Sequence, residues 1–128
     1  MKILIYGIAF LFCFTAYSQD DVTDKVKGHL STGNAAGLSS YFTGNVDLLV
    51  EDNEDVYSKT QAEMILKNFF AKNMPVSFSI IHKGSSTMNV AYRIGTLKTK
   101  NGKEFRVTFN MKDVGGRFLI HQMQIEEN

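Results

Sequence analysis

The chain has 128 residues, 44% of them hydrophobic, and carries 14 Lys and Arg against 13 Asp and Glu, for a formal charge of +1. This length fits one domain and leaves no room for a second. A nearly neutral domain lacks the basic surface that nucleic-acid binding requires, so we expect no nucleic-acid partner.

The first 18 residues have the pattern of an export signal that is removed. A positive start precedes the apolar run Ile3 to Phe14, and a small-x-small cleavage site ends at Ser18. The run is about twelve residues long, well short of the roughly 20 that a membrane-spanning helix needs. We predict a signal peptide over 1–18, a secreted or periplasmic domain over 19–128, and no membrane association after cleavage.

Cysteine use agrees with this division of the chain. Cys13, the one cysteine of the sequence, lies inside the leader, so the mature domain can form no disulfide. Phe12 directly before it is too bulky for the small residue that lipid attachment requires, which argues against a lipoprotein. Removing Lys2 lowers the basic residues from 14 to 13, equal to the 13 acidic ones.

Two helices are predicted at the start of the mature domain. Apolar residues recur at every fourth position between Asp20 and Leu30, which indicates an amphipathic helix. Asn34 can cap a second, short helix that ends at Gly44-Asn45. The buried side of this second helix is predicted to consist of Leu38, Tyr41 and Phe42.

A short hairpin and a long helix follow. Residues 45–51 alternate between polar and apolar, and an acidic turn over 52–55 returns the chain through Val56-Tyr57. Ser58 and Gln61 then have the spacing of a capping box, the clearest local signal of the domain. Five apolar residues continue at helical spacing before Pro75 ends the helix: Ala62, Ile65, Leu66, Phe69 and Phe70.

After Pro75 the apolar period changes to two, which predicts four antiparallel strands. Turns are expected at Asn101-Gly102 and Gly115-Gly116, and a bulge at Gly95 would bend the sheet. The inward positions are predicted to be Val76, Phe78 and Ile80; Met88, Val90, Tyr92 and Ile94; Phe105, Val107, Phe109 and Met111; and Leu119, His121, Met123 and Ile125 in the last strand. The fold class is therefore α+β, with N-terminal helices and one long capped helix packed in a strongly bent antiparallel sheet.

This order of elements resembles the nuclear transport factor two-like superfamily, with the capped Ser58-Lys59-Thr60-Gln61 helix, its Phe69-Phe70 ending and the bent meander as the shared features. The segments Glu54–Lys59 and Gly116–Gln122 are similar to a family of short secreted bacterial proteins of unknown function within it. The resemblance implies a cone-shaped domain whose pocket lies at the open end of the sheet. It implies no activity, because the superfamily includes isomerases, dehydratases, transport factors and non-catalytic modules.

Three polar residues are predicted to line that pocket as ligand-binding residues: Tyr57, Tyr92 and His121. His121 shares the parity of Met123 and Ile125 and should therefore face apolar neighbours, as a structural residue or as a pocket base. The two tyrosines lie in apolar stretches, where a ring can be buried with its hydroxyl at a cavity rim. The alternative for both tyrosines is an ordinary core position.

The remaining polar groups favour simpler interpretations. His82 should face the interior with Phe78, whereas His29 should lie at the surface. The histidines lack the close spacing of metal ligands, and the acidic hairpin lacks the calcium-loop pattern, so no metal and no cofactor are predicted. A group of lysines and arginines around the opposite hairpin is predicted to form a solubilising edge: Lys98, Lys100, Lys103, Arg106 and Lys112.

These observations support three hypotheses for function. The first is a secreted, non-catalytic module that binds a small apolar ligand or a protein partner. The second is a lyase or isomerase of ketosteroid-isomerase or dehydratase type, with His121 as general base and Tyr92 or Tyr57 polarising the substrate. The third is a pure interaction module. The outer face of the sheet is polar at Arg106, Thr108, Asn110 and Lys112, so we expect a monomer or a weak homodimer.

Overall fold

The computed structural model describes residues 19–87 and 89–128. The predicted leader and the predicted strand position of Met88 therefore lie outside the described residues. The elements in chain order are α1 (Gln19–Thr32), α2 (Ala35–Ser39), β1 (Phe42–Val50), β2 (Asn53–Ser58), α3 (Lys59–Lys72), β3 (Pro75–Thr87), β4 (Val90–Thr99), β5 (Glu104–Val114) and β6 (Arg117–Glu127). None of the helices in the described ranges has the length and apolar character needed to cross a bilayer.

The two N-terminal helices form where predicted, but the second is shorter. α1 buries Val22, Val26 and Leu30, and the Asn34 side chain accepts a hydrogen bond from the Gly37 amide at 2.9 Å to start α2. The prediction that Phe42 belongs to α2 is wrong, because that residue begins β1 and pairs with β6. A strand partner distant in sequence decides this boundary.

The long helix α3 confirms the capping box. The Gln61 amide donates to the Ser58 hydroxyl and the Ser58 amide donates to the Gln61 side chain, both at 3.2 Å. These bonds satisfy amide groups that have no partner within the helix. Four of the five predicted stripe residues are buried, and the fifth, Ile65, packs partly buried against the core.

All six strands form one curved sheet in the order β2-β1-β6-β5-β4-β3, with the helices packed against one face. Neighbouring strands are antiparallel except β1 and β6, which run parallel. The alternation of β5 is confirmed, since its odd-numbered residues from Phe105 to Met111 are fully buried. The architecture is the predicted α+β fold, but the sheet contains one parallel pair where an antiparallel sheet was predicted.

The β1–β2 turn is tighter than predicted. Val50 already pairs with Asn53, so only Glu51 and Asp52 form the turn rather than residues 52–55. Glu51 has a φ of 59°, in the left-handed region that residues other than glycine rarely adopt. Its amide donates to the Ile125 carbonyl at 2.8 Å, which fixes the turn against β6.

The inward parity of β4 is opposite to the prediction from Val90 to Ile94, before Gly95. Arg93, Gly95 and Leu97 face the core, whereas Tyr92 is 39% exposed. β4 pairs with β5 in unbroken register, and the extra residue of the bulge is Ile81 in β3. A one-residue shift moves a strand's side chains to the other face, so the misplaced bulge exchanges the predicted faces of residues 90–94.

Gly95 is required for packing rather than for a bulge. The Phe78 ring occupies the space over it, so a Cβ atom there would lie 2.4 Å from the ring. Val76, also predicted to face inward, is 59% exposed near the start of β3. Of the three predicted inward residues of this strand, only Phe78 is fully buried, while Ile80 is half-buried.

Candidate functional site

A cavity of about 150 Å³ opens between the C-terminal half of α3 and the β1–β2 hairpin. The helix contributes Ile65, Asn68, Phe69 and Lys72, whose spacing of three and four residues places them along one side of α3. β1 and β2 supply the opposite wall. The site therefore results from packing the hairpin against the helix, two elements adjacent in sequence.

The floor of the cavity is apolar and fixed. Leu48 and Val50 point inward from β1 and are buried, and Phe69 is only 5% exposed. The Phe69 ring meets the Phe105 ring edge-on, with centroids 4.9 Å apart, a favourable aromatic geometry. The floor is thus part of the hydrophobic core and does not need a ligand to become ordered.

Side-chain hydrogen bonds hold the helix end that forms one wall. Asn73, which is 5% exposed, caps α3 by donating its amide and its Nδ2 to the Phe69 carbonyl. Asn101 in the β4–β5 turn donates Nδ2 to the Asn73 Oδ1 at 2.8 Å and accepts from the Thr99 hydroxyl. The turn and the helix end are therefore joined, which preorganises the wall.

The rim of the cavity is polar. Neutral hydrogen-bonding groups come from Tyr57, Asn53 and Asn68, while Glu51 and Lys72 bring one negative and one positive charge. Within the described part of the chain, neither of these two charged side chains makes an ion pair. An apolar floor with a few converging polar groups is the usual composition of a small-ligand site.

Tyr57 is the one predicted ligand-binding residue that lines this cavity. It lies opposite Val46 in the β1–β2 register, which places its side chain on the inward face. The ring is half-buried, and its hydroxyl has no hydrogen-bond partner among the described residues. The hydroxyl is therefore available at the rim.

Tyr92 lies on the opposite face of the sheet. It is in register with Asn110 of β5, which pairs with Gln122 of β6, and Gln122 pairs with Asp47 of β1. These four residues form a polar row across the outer face, and Asn110 Nδ2 donates to Gln122 Oε1 at 2.5 Å. We call this set the outer polar row.

His121 also lies on the outer face, contrary to the predicted inward parity. Ile120 pairs with Met111 and Gln122 pairs with Asn110, so His121 is the extra residue of a bulge. The buried residues on either side of this bulge are Ile120 and Met123. The bulge shifts the parity of the strand by one residue. His121 therefore does not share the face of Met123 as the uninterrupted alternation indicated.

The imidazole of His121 is nevertheless partly desolvated. Its Nδ1 atom is buried and has no hydrogen-bond partner among the residues that the structure describes. Burial lowers its pKa below the ordinary value of 6.5, the Lys112 ammonium lowers it further, and the Asp47 carboxylate partly offsets both effects. The neutral form is therefore favoured at neutral pH.

The three predicted residues do not share one cavity. Tyr57 faces the α3 side of the sheet, whereas Tyr92 and His121 face the other side. A common substrate site for an isomerase-type reaction would need His121 and a tyrosine around the same substrate oxygen. Individual ligand-binding roles for the three residues remain predictions.

The other histidines do not add a second centre. His82 is exposed because the β3 bulge precedes it, and His29 packs against Tyr41 with ring centroids 5.9 Å apart. Among the described residues, no group of three or more histidine, aspartate or glutamate side chains is arranged to hold a metal ion.

Two other hollows differ in composition from the α3 cavity. A hollow beside β3, lined partly by Lys27 and Ile80, includes the exposed edge residue Ile81. Another, near the β1–β2 turn, is lined only by charged side chains, among them Asp52 and Lys103. In the lining of the β3 hollow Phe78 is the buried apolar residue, and the charged hollow has none, whereas Leu48, Val50 and Phe69 together form the floor of the α3 cavity.

Most cavity residues were missed by sequence reasoning. Lys72 and Asn68 continue the spacing of Ile65 and Phe69 along α3, and this signal was available in the sequence. Glu51 lies at the end of the predicted strand over 45–51 and has no feature there that indicates a cavity. Its position beside the end of α3 depends on how the hairpin packs, which alternation within a strand does not reveal.

Comparisons with known proteins agree with this architecture. The domain of unknown function DUF4783 matches residues 23–126. A DUF4783 family protein from Bacteroides ovatus is 32% identical, with a TM-score of 0.76 over 81% of this chain and 93% of that one. One from Bacteroides uniformis is 29% identical, with a TM-score of 0.78 over 84% of this chain and 97% of that one.

The fold extends to more distant proteins. An NTF2-like protein of unknown function from Shewanella baltica is 12% identical, with a TM-score of 0.67 over 85% of this chain and 90% of that one. Curated proteins give no match. The fold is therefore that of the nuclear transport factor two-like superfamily, as the sequence predicted, and the chain belongs to the DUF4783 family.

Proposed function

We propose that this protein is an exported, non-catalytic binding module that holds a small molecule in the cavity between α3 and the β1–β2 hairpin. The observation that carries the proposal is the combination of a fixed apolar floor with a polar rim. Leu48, Val50 and Phe69 form the floor, and Tyr57 presents an unpartnered hydroxyl among the described residues. A cavity of about 150 Å³ is comparable to engineered cavities that bind benzene.

Export is supported by the sequence of the leader. The apolar run and the small-x-small site end directly before Gln19, where α1 begins. The protein recovered from its host should therefore be periplasmic or extracellular and begin at Gln19, which cell fractionation and N-terminal sequencing would test. A cytoplasmic protein that keeps the leader would contradict this part of the proposal.

The composition of the cavity supports binding without catalysis. Its lining includes one carboxylate, Glu51, and no histidine. The isomerase hypothesis uses His121 as its general base, and His121 lies on the other face of the sheet from this cavity. A molecule bound at this site should therefore be recovered chemically unchanged, as mass spectrometry after prolonged incubation would show.

A blocking substitution tests whether the cavity is the binding site. Ile65→Trp should fill the cavity, and Ile81→Trp adds the same side chain at a position 58% exposed on β3. In a ligand-observed NMR screen of small ring compounds, hits should bind to the wild type and to Ile81→Trp but not to Ile65→Trp. Hits that bind equally to all three proteins would place binding elsewhere.

A second candidate function is protein interaction through the outer polar row. Tyr92 is the specific observation in its favour, because 39% of this large aromatic residue is exposed on the sheet face. Tyrosine is enriched at interfaces, but the neighbouring amides make this surface too polar for an obligate dimer. We expect a monomer or a weak homodimer in light scattering, and Tyr92→Arg should abolish any concentration-dependent association.

A further inference from the structure

Opposite charges lie on two different elements at the cavity rim. Glu51 belongs to the β1–β2 turn, and Lys72 belongs to the last turn of α3. Both side chains are exposed, and within the described residues neither has an ion-pair partner. The same cavity is also lined by neutral donors and acceptors from Asn53, Asn68 and Tyr57.

The backbones that carry the two charges are fixed independently. Glu51 is held by the hydrogen bond from its amide to the Ile125 carbonyl at 2.8 Å. The end of α3 is held by Asn73, which Asn101 contacts at 2.8 Å. The two charges do not neutralise each other by direct contact, so a ligand at the rim meets both.

We infer that the cavity binds a small free α-amino acid with an aliphatic side chain. The ammonium group faces Glu51, the carboxylate faces Lys72, and the side chain lies on Leu48, Ile65 and Phe69. This inference rests on the proposed function and names its class of ligand. A cavity of about 150 Å³ suits a side chain no larger than the benzene ring that comparable cavities hold.

The charges argue against ligands that lack one of the two ionic groups. A carboxylic acid without an amine pairs with Lys72 but is repelled by Glu51, and an amine without a carboxylate has the opposite conflict. A hydrocarbon removes water from both charged groups and returns no polar contact. A zwitterion satisfies both charges and leaves its side chain for the apolar floor.

The expected affinity is modest because both charged side chains are exposed. Each exposed ion pair changes binding by about 1.4- to 5-fold, the equivalent of 0.2–1 kcal/mol. We therefore expect a dissociation constant on the order of 10⁻⁴ to 10⁻³ M. An increase in salt concentration should weaken binding, since the charges are accessible to counterions.

The experiment titrates L-leucine into the ¹⁵N-labelled protein and follows the amide resonances of α3 and the β1–β2 hairpin. The comparison ligands are 4-methylpentanoate, which lacks the amine, 3-methylbutylamine, which lacks the carboxylate, and glycine, which lacks the side chain. Leucine should bind at least twofold more tightly than the first two, and glycine should give no saturable shift.

Charge-removing variants assign each ionic contact. Lys72→Gln should weaken leucine binding about two- to fivefold without weakening the binding of 3-methylbutylamine. Glu51→Gln should weaken leucine binding similarly without weakening the binding of 4-methylpentanoate. Lys67→Gln and Glu54→Gln are matched controls, because both residues are exposed on the same elements and outside the cavity lining.

The outcomes separate this inference from the proposed function. The amino-acid inference would be overturned if leucine and either analogue bound with equal affinity. It would also be overturned if leucine binding were unchanged in both Lys72→Gln and Glu51→Gln. In either case the cavity would still be a binding site. If leucine and the ring compounds also fail to bind, or bind to Ile65→Trp as they do to the wild type, the cavity is not the site and both proposals fall.

Discussion

The phenol ring of Tyr92 lies directly over Gly84, its register partner on β3. A Cβ atom added at Gly84 would stand 2.2 Å from that ring, so an alanine cannot be placed there unless the tyrosine moves. The contact fixes the orientation of the largest exposed residue on the outer face. It also explains a glycine inside a strand, where glycine is otherwise unfavourable.

Gly84→Ala should therefore destabilise the protein by about 1–2 kcal/mol through this overlap. In a Tyr92→Ala background the overlap is gone, and the same change should be neutral or stabilising because alanine restricts the unfolded chain. Urea unfolding of the four proteins measures the coupling between the two positions. Equal effects of Gly84→Ala in both backgrounds would contradict the contact.

Arg93 should stabilise the fold through buried hydrogen bonds more than through its exposed ion pair with Asp20. The side chain is 3% exposed and donates to the Thr23 hydroxyl at 3.1 Å, and to the carbonyls of Tyr92 and Gly84 at 2.8 and 3.4 Å. Arg93→Met removes these three hydrogen bonds and should cost about 2–4 kcal/mol in urea unfolding.

The control for Arg93 is its ion-pair partner. Asp20 lies 3.7 Å away, but its side chain is 81% exposed. Asp20→Asn should change the free energy of unfolding by at most about 0.5 kcal/mol, because exposed ion pairs contribute little. If the two substitutions had similar effects, the ion pair rather than the buried hydrogen bonds would be the stabilising interaction.

Ser58→Ala tests the start of α3. The substitution removes the acceptor for the Gln61 amide and should lower stability by about 1 kcal/mol, or roughly 5 °C in the midpoint of thermal unfolding. Thr60→Ala is the control, since Thr60 is exposed in the same helical turn and takes no part in the capping box. An equal loss in both variants would show that the cap is not the cause.

His121 should make stability depend on pH. Its pKa is lowered in the folded protein, chiefly by burial, so below pH 6.5 the unfolded chain binds more protons than the folded one. Stability then falls as pH decreases from about 7 through the lowered pKa. His121→Gln removes a titrating group and should flatten this part of the curve of unfolding free energy against pH.

Neighbouring charges provide a direct test of the cause. Lys112→Gln should raise the pKa of His121, and Asp47→Asn should lower it, because the lysine disfavours and the aspartate favours the imidazolium form. The Cε1 proton of His121, followed by NMR against pH, reports the change. Shifts in the opposite directions would show that these side chains do not act on the imidazole.

Much of the fold was predictable because its signals are local. The capping box of α3, its apolar stripe and the alternation along β5 each depend on residues within one element. The glycines at the last two hairpin turns were equally informative, since Gly102, Gly115 and Gly116 all have positive φ angles. These features gave the order and type of the elements from α1 to β6.

The face that a side chain occupies was less predictable. One extra residue in β3 and one in β6 reverse the parity expected for Tyr92 and His121. An alternating sequence contains no mark of which strand carries the bulge, because the bulge is defined against a partner strand. Two of the three predicted ligand-binding residues were placed on the wrong face for this reason.

The sequence alone determined the order and type of the helices and strands and the α+β class, because these follow from the spacing of neighbouring residues and from backbone chemistry. Only the tertiary structure decided that β1 pairs in parallel with β6, and that Glu51 and Lys72 meet at one cavity. Both depend on how whole elements pack against one another, which no pattern within a single element records.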